Sequence, residues 1–171
     1  MHRSVGQGVA TPSLCPMPVD MAAPSRPGRP EQQLLKQRFT ARTLPQLRVG
    51  VEVCAASAGL TEPRRGDFVL AVDEVLTNAV EHAGGHGTLL LRRVGHELEA
   101  QVSDAGPGFT ADVIPELLPG LDGCADGRGL WLARLTTDRL SITAADPDAV
   151  GAGTVVTLAV ALPGTGTTPR P

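Results

Sequence analysis

Apolar residues recur every three to four positions at Phe68, Val72, Val75 and Ala79. A helix places such a series on one side, so the spacing predicts a long amphipathic helix over residues 63–83. Pro63 suits its first turn, where a backbone N–H would lack a partner anyway, and Gly84-Gly85 is its natural stop. The same period appears upstream at Leu47, Val51, Cys54 and Ala58, predicting a helix over residues 44–58 that Gly59 ends. A third helix is expected over residues 130–137. Strand patterns account for most of the rest. Residues 33–41 form one run, and residues 88–94 and 97–103 form a hairpin around Gly95-His96, which sets Asp104 just beyond the second strand. Residues 140–145 and 154–162 complete the set through a turn-rich link. Residues 109–126, carrying Pro115, Pro119, Gly120 and Gly123, read as a long connection and a candidate lid.

Composition narrows the picture. With 171 residues, 42% of them hydrophobic, the chain can bury one real core, and one folded domain over residues 33–163 is the expectation. Residues 1–32 hold Pro12, Pro16, Pro18, Pro24, Pro27 and Pro30 and read as a disordered tail; residues 164–171 read as a flexible end. Aromatic residues make up only 2%, so the core is built from Leu, Val and Ala, and stacking on aromatic platforms is not a binding mode this chain favours.

Charge is divided unevenly. Residues 1–50 hold seven basic and two acidic side chains, residues 51–171 eight basic and sixteen acidic. The acidic folded part argues against direct nucleic-acid binding, and a triphosphate there would need a divalent cation as bridge. Cys15, Cys54 and Cys124 are odd in number and widely spaced, which indicates neither a disulfide framework nor a zinc site and fits a reducing cytoplasm. No secretory h-region and no apolar run of about 18 residues is visible, so neither export nor a membrane span is expected.

Three separated pieces carry the chemistry. Glu74, Asn78 and His82 recur at four-residue spacing and share one side of the long helix. The Asn78 amide oxygen is a hard ligand suited to Mg2+, and the Glu74 carboxylate can orient or deprotonate a hydroxyl. Asp104-Ala105-Gly106-Pro107-Gly108 then offers a carboxylate acceptor followed by two glycines. Gly127-Arg128-Gly129-Leu130 opens the third helix, whose unpaired N–H groups attract anions, with Arg128 adding charge. His82 and His86 are interrupted by Gly84-Gly85 and have no third soft ligand nearby, and no G-x-S-x-G elbow occurs, so metal-hydrolase and serine-hydrolase readings fail.

This order resembles the histidine-kinase-like ATPase superfamily, in which an E-x-x-x-N helix, a D-x-G-x-G turn, a lid and a G-x-G turn surround ATP. The resemblance covers residues 34–162. It implies an α+β fold of the Bergerat type: a two-layer α/β sandwich whose mixed, mostly antiparallel sheet is covered on one face by about three helices. It implies Glu74 as base, Asn78 as Mg2+ ligand, Asp104 as acceptor for the adenine amine, and Gly106 and Gly108 beneath the base. Gly127, Arg128, Gly129 and Leu130 would lie at the phosphates, with Thr154 near Asp104. E-V-L-T-N-A-V-E-H from Glu74 and G-R-G-L-W-L-A-R-L-T-T-D from Gly127 are most similar to bacterial anti-sigma factor/serine-protein kinases. That likeness implies a cytoplasmic kinase of a small antagonist protein, a sigma factor as second partner, and homodimers paired through their sheets. The alternative is a non-catalytic module of the same fold in which nucleotide only orders a partner-binding surface. Some kinase members carry a basic residue before the first lid-closing glycine; here Ala125-Asp126 stand there. Sensor histidine kinases need a dimerising helical pair with a phosphoacceptor His, and no such segment is expected before residue 34.

Overall fold

The computed structural model describes residues 30–108, 128–145 and 153–164. Along the chain run β1 (Glu31–Thr40), α1 (Leu44–Ser57), α2 (Arg64–His82), β2 (His86–Val94), β3 (Glu97–Asp104), α3 (Arg128–Thr136), β4 (Arg139–Ala144) and β5 (Thr154–Ala161), with a single 3-10 turn joining β1 to α1. The strands form one sheet in the order β1-β2-β3-β5-β4. Every pairing is antiparallel, where the sequence left a mixed, mostly antiparallel sheet. The expected lid and both expected tails lie outside the described residues, apart from a few at the tails' inner ends.

The period of two in the strands decides the layers. Leu89 and Leu91 of β2, Leu98, Ala100 and Val102 of β3, and Val156, Leu158 and Val160 of β5 are buried on one face, where the helices pack. α2 contributes Phe68, Ala71, Val72, Val75, Leu76 and Ala79 to this core, so the predicted stripe is buried along its whole length. Burying each such large side chain favours folding by about 1.5–3 kcal/mol. α1 turns slightly from expectation: Leu47, Val51 and Ala55 are buried, whereas Cys54 and Ala58 are half-buried at the margin.

β1 starts two residues before its apolar pattern because pairing with β2 continues to Glu31↔Val94. The carboxylate of Glu31 also meets Arg92 at 2.9 Å. Arg92 in turn binds Glu99, its cross-strand neighbour, on the face away from the helices. Arg139 reaches the same Glu99 at 3.1 Å although β5 lies between their strands. Ala159 is the residue of β5 opposite both, and its small side chain leaves the path open. Glu99 is thereby held between two guanidinium groups and is only 6% exposed.

Asp138, between α3 and β4, closes the domain's other seam. Its carboxylate accepts the N–H of Ala161 at 2.7 Å and pairs with Arg64. Those two contacts, the backbone donor first, hold its pKa below the ordinary 3.8.

Two outcomes test these contacts. Glu99→Ala leaves two partly covered guanidinium groups without their shared partner and should cost on the order of 2 kcal/mol in urea denaturation, below the figure for fully buried pairs; Glu31→Ala at the exposed end should cost under about 1 kcal/mol. Because the folded-state pKa of Asp138 is depressed, its contribution is complete above the unfolded value and disappears as pH falls through the lowered one. Asp138→Asn should therefore be less stable than the parent at neutral pH, and the gap should close in acid.

Candidate functional site

α2 is the spine of the site. Its apolar side faces the sheet, and Glu74 and Asn78, one turn apart, lie half-buried beside that side rather than in open solvent. Gly129, in the first turn of α3, sits directly against the Glu74 carboxylate: a Cβ at that position would strike Oε2. The absent side chain thus brings the start of α3, with its unpaired N–H groups, up to Glu74. Leu130, beside it, is 5% exposed and belongs to the core, so its own N–H is the group it can offer a ligand. Arg128 is exposed at the mouth of the same helix, and Gly127 lies outside the described residues.

The Asp104 turn is built at the far end of α2. Asp104 is the last residue of β3, one position earlier in the turn than the sequence suggested, because it still pairs with Gly87. Oδ1 accepts two backbone N–H groups, from Gly106 at 2.9 Å and from Thr154 at 3.2 Å. Among the described residues Oδ2 accepts none, which leaves a fixed carboxylate oxygen for an outside donor such as an exocyclic amine. A charged acceptor of this kind contributes about 1.5–3 kcal/mol, one to two orders of magnitude in affinity. Thr154 joins the turn through its backbone N–H; its side chain is fully buried.

Close approach of backbone to backbone makes this possible. Gly106 is buried against the residue that caps α2, and a Cβ there would come within 2.6 Å of the Cα of Ala83. Gly153, at φ +81, lies against the Asp104 carbonyl with no room for a Cβ, and this brings the Thr154 N–H to the carboxylate. Gly108 also has positive φ, +79, within the turn. From Glu74 to Ala83 the helix rises about 13 Å, so the acceptor end and the anion end stand apart along one rigid axis.

The sequence did not identify Ala83, whose role follows only from contact with Gly106; its position just before Gly84-Gly85 was the available signal. His82 is exposed, with Nε2 3.8 Å from the Glu81 carboxylate, and His86 Nδ1 lies 2.9 Å from the Gly84 carbonyl, so both interact locally. Among the described residues no three His, Cys, Asp or Glu side chains converge as a metal cluster. A divalent cation at Asn78 would therefore need oxygens from the nucleotide itself, which is the usual way Mg2+ is held. A separate groove of about 330 Å³ between α1 and α2 is lined by Arg48, Glu52, Glu62, Arg65, Gly66, Val69 and Leu70 and contains none of these groups.

A helix bearing an acid and an amide, a carboxylate with one oxygen free among the described residues, and a helix start opened by glycine make up a candidate nucleotide site on a two-layer α+β domain. The histidine kinase-like ATPase domain matches residues 38–160, and the chain belongs to that family. The signal transduction histidine-protein kinase AfsQ2 of Streptomyces coelicolor is 38% identical over 56 residues, 33% of this chain and 10% of that kinase. This chain thus matches a tenth of that relative's length. The solved structure of the mycobacterial sensor histidine kinase MprB superposes with a TM-score of 0.50 at 17% identity, covering 74% of this chain and 97% of that one, a likeness of fold. No helix among the described residues is long and apolar enough to cross a membrane.

The two glycine contacts should respond differently to a methyl group. Gly153→Ala meets backbone and a positive φ, so thermal unfolding should register a loss of well over 1 kcal/mol. Gly129→Ala meets only the movable end of Glu74 within a helix that favours Ala, so stability should hold within about 1 kcal/mol while the carboxylate is displaced.

Proposed function

We propose that this protein is a cytoplasmic bacterial regulator that binds Mg-ATP and transfers the terminal phosphate to a serine or threonine of a small antagonist protein. A sigma factor is the second partner, held when the antagonist is absent. The observation that carries the reading is the placement of Glu74 against the glycine-opened start of α3, with Asn78 one turn further along α2 toward the Asp104 turn. In this reading Asp104 Oδ2 accepts from the adenine amine, and the amides at Gly129 and Leu130 meet the phosphates. Asn78 holds Mg2+, which neutralises phosphate charge when bound. Glu74 aligns the acceptor hydroxyl and takes its proton. Phosphoryl transfer asks little covalent chemistry of the protein beyond such positioning and charge stabilisation.

The choice of a serine or threonine acceptor and of sigma-factor control rests on the similarity of the segments from Glu74 and from Gly127 to anti-sigma factor kinases. A second reading is favoured by the identity to AfsQ2, a histidine-protein kinase by name: transfer to a histidine. A third keeps the nucleotide as a ligand that only orders a partner surface. One experiment separates the three. The purified protein and its Glu74→Ala variant are incubated with γ-labelled ATP, Mg2+ and candidate antagonists, and the labelled protein is then treated with acid. Acid-stable label on the antagonist that falls at least a hundredfold in Glu74→Ala supports the first reading. Acid-labile label supports the second. No label from either protein, with ATP binding intact, supports the non-catalytic module.

A further inference from the structure

α2 and α3 are in contact near both ends of α3. At one end Gly129 abuts Glu74; at the other, Asp138, two residues past the end of α3, accepts from Arg64, the first residue of α2. From Arg64 to Glu74 α2 rises about 15 Å, and a helical path from Gly129 to Asp138 spans about 13 Å. The helices therefore run antiparallel with two matched contacts. Asp138 is tied to the sheet as well: its carboxylate accepts from Ala161, and its own N–H donates to the Ala159 carbonyl at 3.0 Å. Of the nine residues of α3, Leu130 and Ala133 are buried, and Leu135 is 62% exposed.

We propose that Asp138, through Arg64 and the N–H of Ala161, is a positioning residue for phosphate recognition, fixing where the start of α3 stands relative to Glu74. It touches no nucleotide. Asp104 and Thr154, at the opposite end of α2, hold the base without reference to this contact. The proposal rests on the reading of α3 as the phosphate-binding helix. Exposed ion pairs add little to global stability, so the effect is expected in position and affinity more than in melting temperature.

Arg64→Ala, Asp138→Asn, Asp138→Ala and the Arg64→Ala/Asp138→Ala double variant test it, each read two ways. Backbone hydrogen exchange at residues 132–134, whose N–H groups bond the carbonyls of the first turn of α3, measured without nucleotide, should accelerate severalfold in every variant, and by more than exchange within β2 and β3. Calorimetry with Mg-ATP should show about tenfold weaker binding in Asp138→Ala, about as much in Arg64→Ala, and little further loss in the double variant, with Arg64→Lys near the parent. Unchanged exchange at residues 132–134, or equal acceleration there and over the sheet, overturns the proposal and indicates a merely structural contact. Full Mg-ATP affinity in Asp138→Ala overturns it as well. Failure of the parent itself to bind Mg-ATP would instead sink the functional reading, while the exchange arm would still decide whether the contact fixes α3.

Discussion

The burial of one side of α2 against the sheet is the constraint on which the rest of this molecule depends. Phe68, Val72, Val75 and Ala79 fix the helix in rotation as well as in place. A helix fixed in rotation has its polar neighbours fixed too, so Glu74 and Asn78 cannot drift to the solvent side without exposing the core. α1, α3 and strands β2, β3 and β5 all pack on this one element. Its middle meets the start of α3, and its end meets the Asp104 turn.

Glycines turn that rigid axis into a site. Around the Glu74 and Asp104 ends, three of them stand where a methyl group would collide, each with a different neighbour: Glu74 for Gly129, Ala83 for Gly106 and the Asp104 carbonyl for Gly153. Backbone amides are what such closeness exposes or aims. Two of them grip Asp104 Oδ1 and so orient the other oxygen, to which no side chain among the described residues donates. The candidate site is thus built largely from main chain, in a protein with almost no aromatic residues to stack on a base.

Membership of the histidine kinase-like ATPase family accounts for this layout but leaves the acceptor open. The same arrangement of acid, amide and helix start can align a serine hydroxyl, a histidine or no acceptor. The exposed ion pair between Arg64 and Asp138 and the buried one around Glu99 lie on different faces, and the adjacent Asp138 and Arg139 contribute one to each.

Periodicity alone determined the elements: α2 emerged within a residue or so of its observed ends, and all five strands were legible from alternation and turn residues. Chemistry-bearing types at ordered spacing pointed to Glu74, Asn78, Asp104 and Gly129, because a helix and a turn carry their own local geometry. Strand direction was less legible, since pairing depends on partners distant in the chain; the sheet proved wholly antiparallel. Ala83 as the seat of Gly106, the reach of Arg139 across Ala159, and the Arg64–Asp138 contact over 74 positions were decided only by tertiary structure. Each joins residues whose separation in sequence says nothing of their separation in space, and only packing the helices onto the sheet sets that distance.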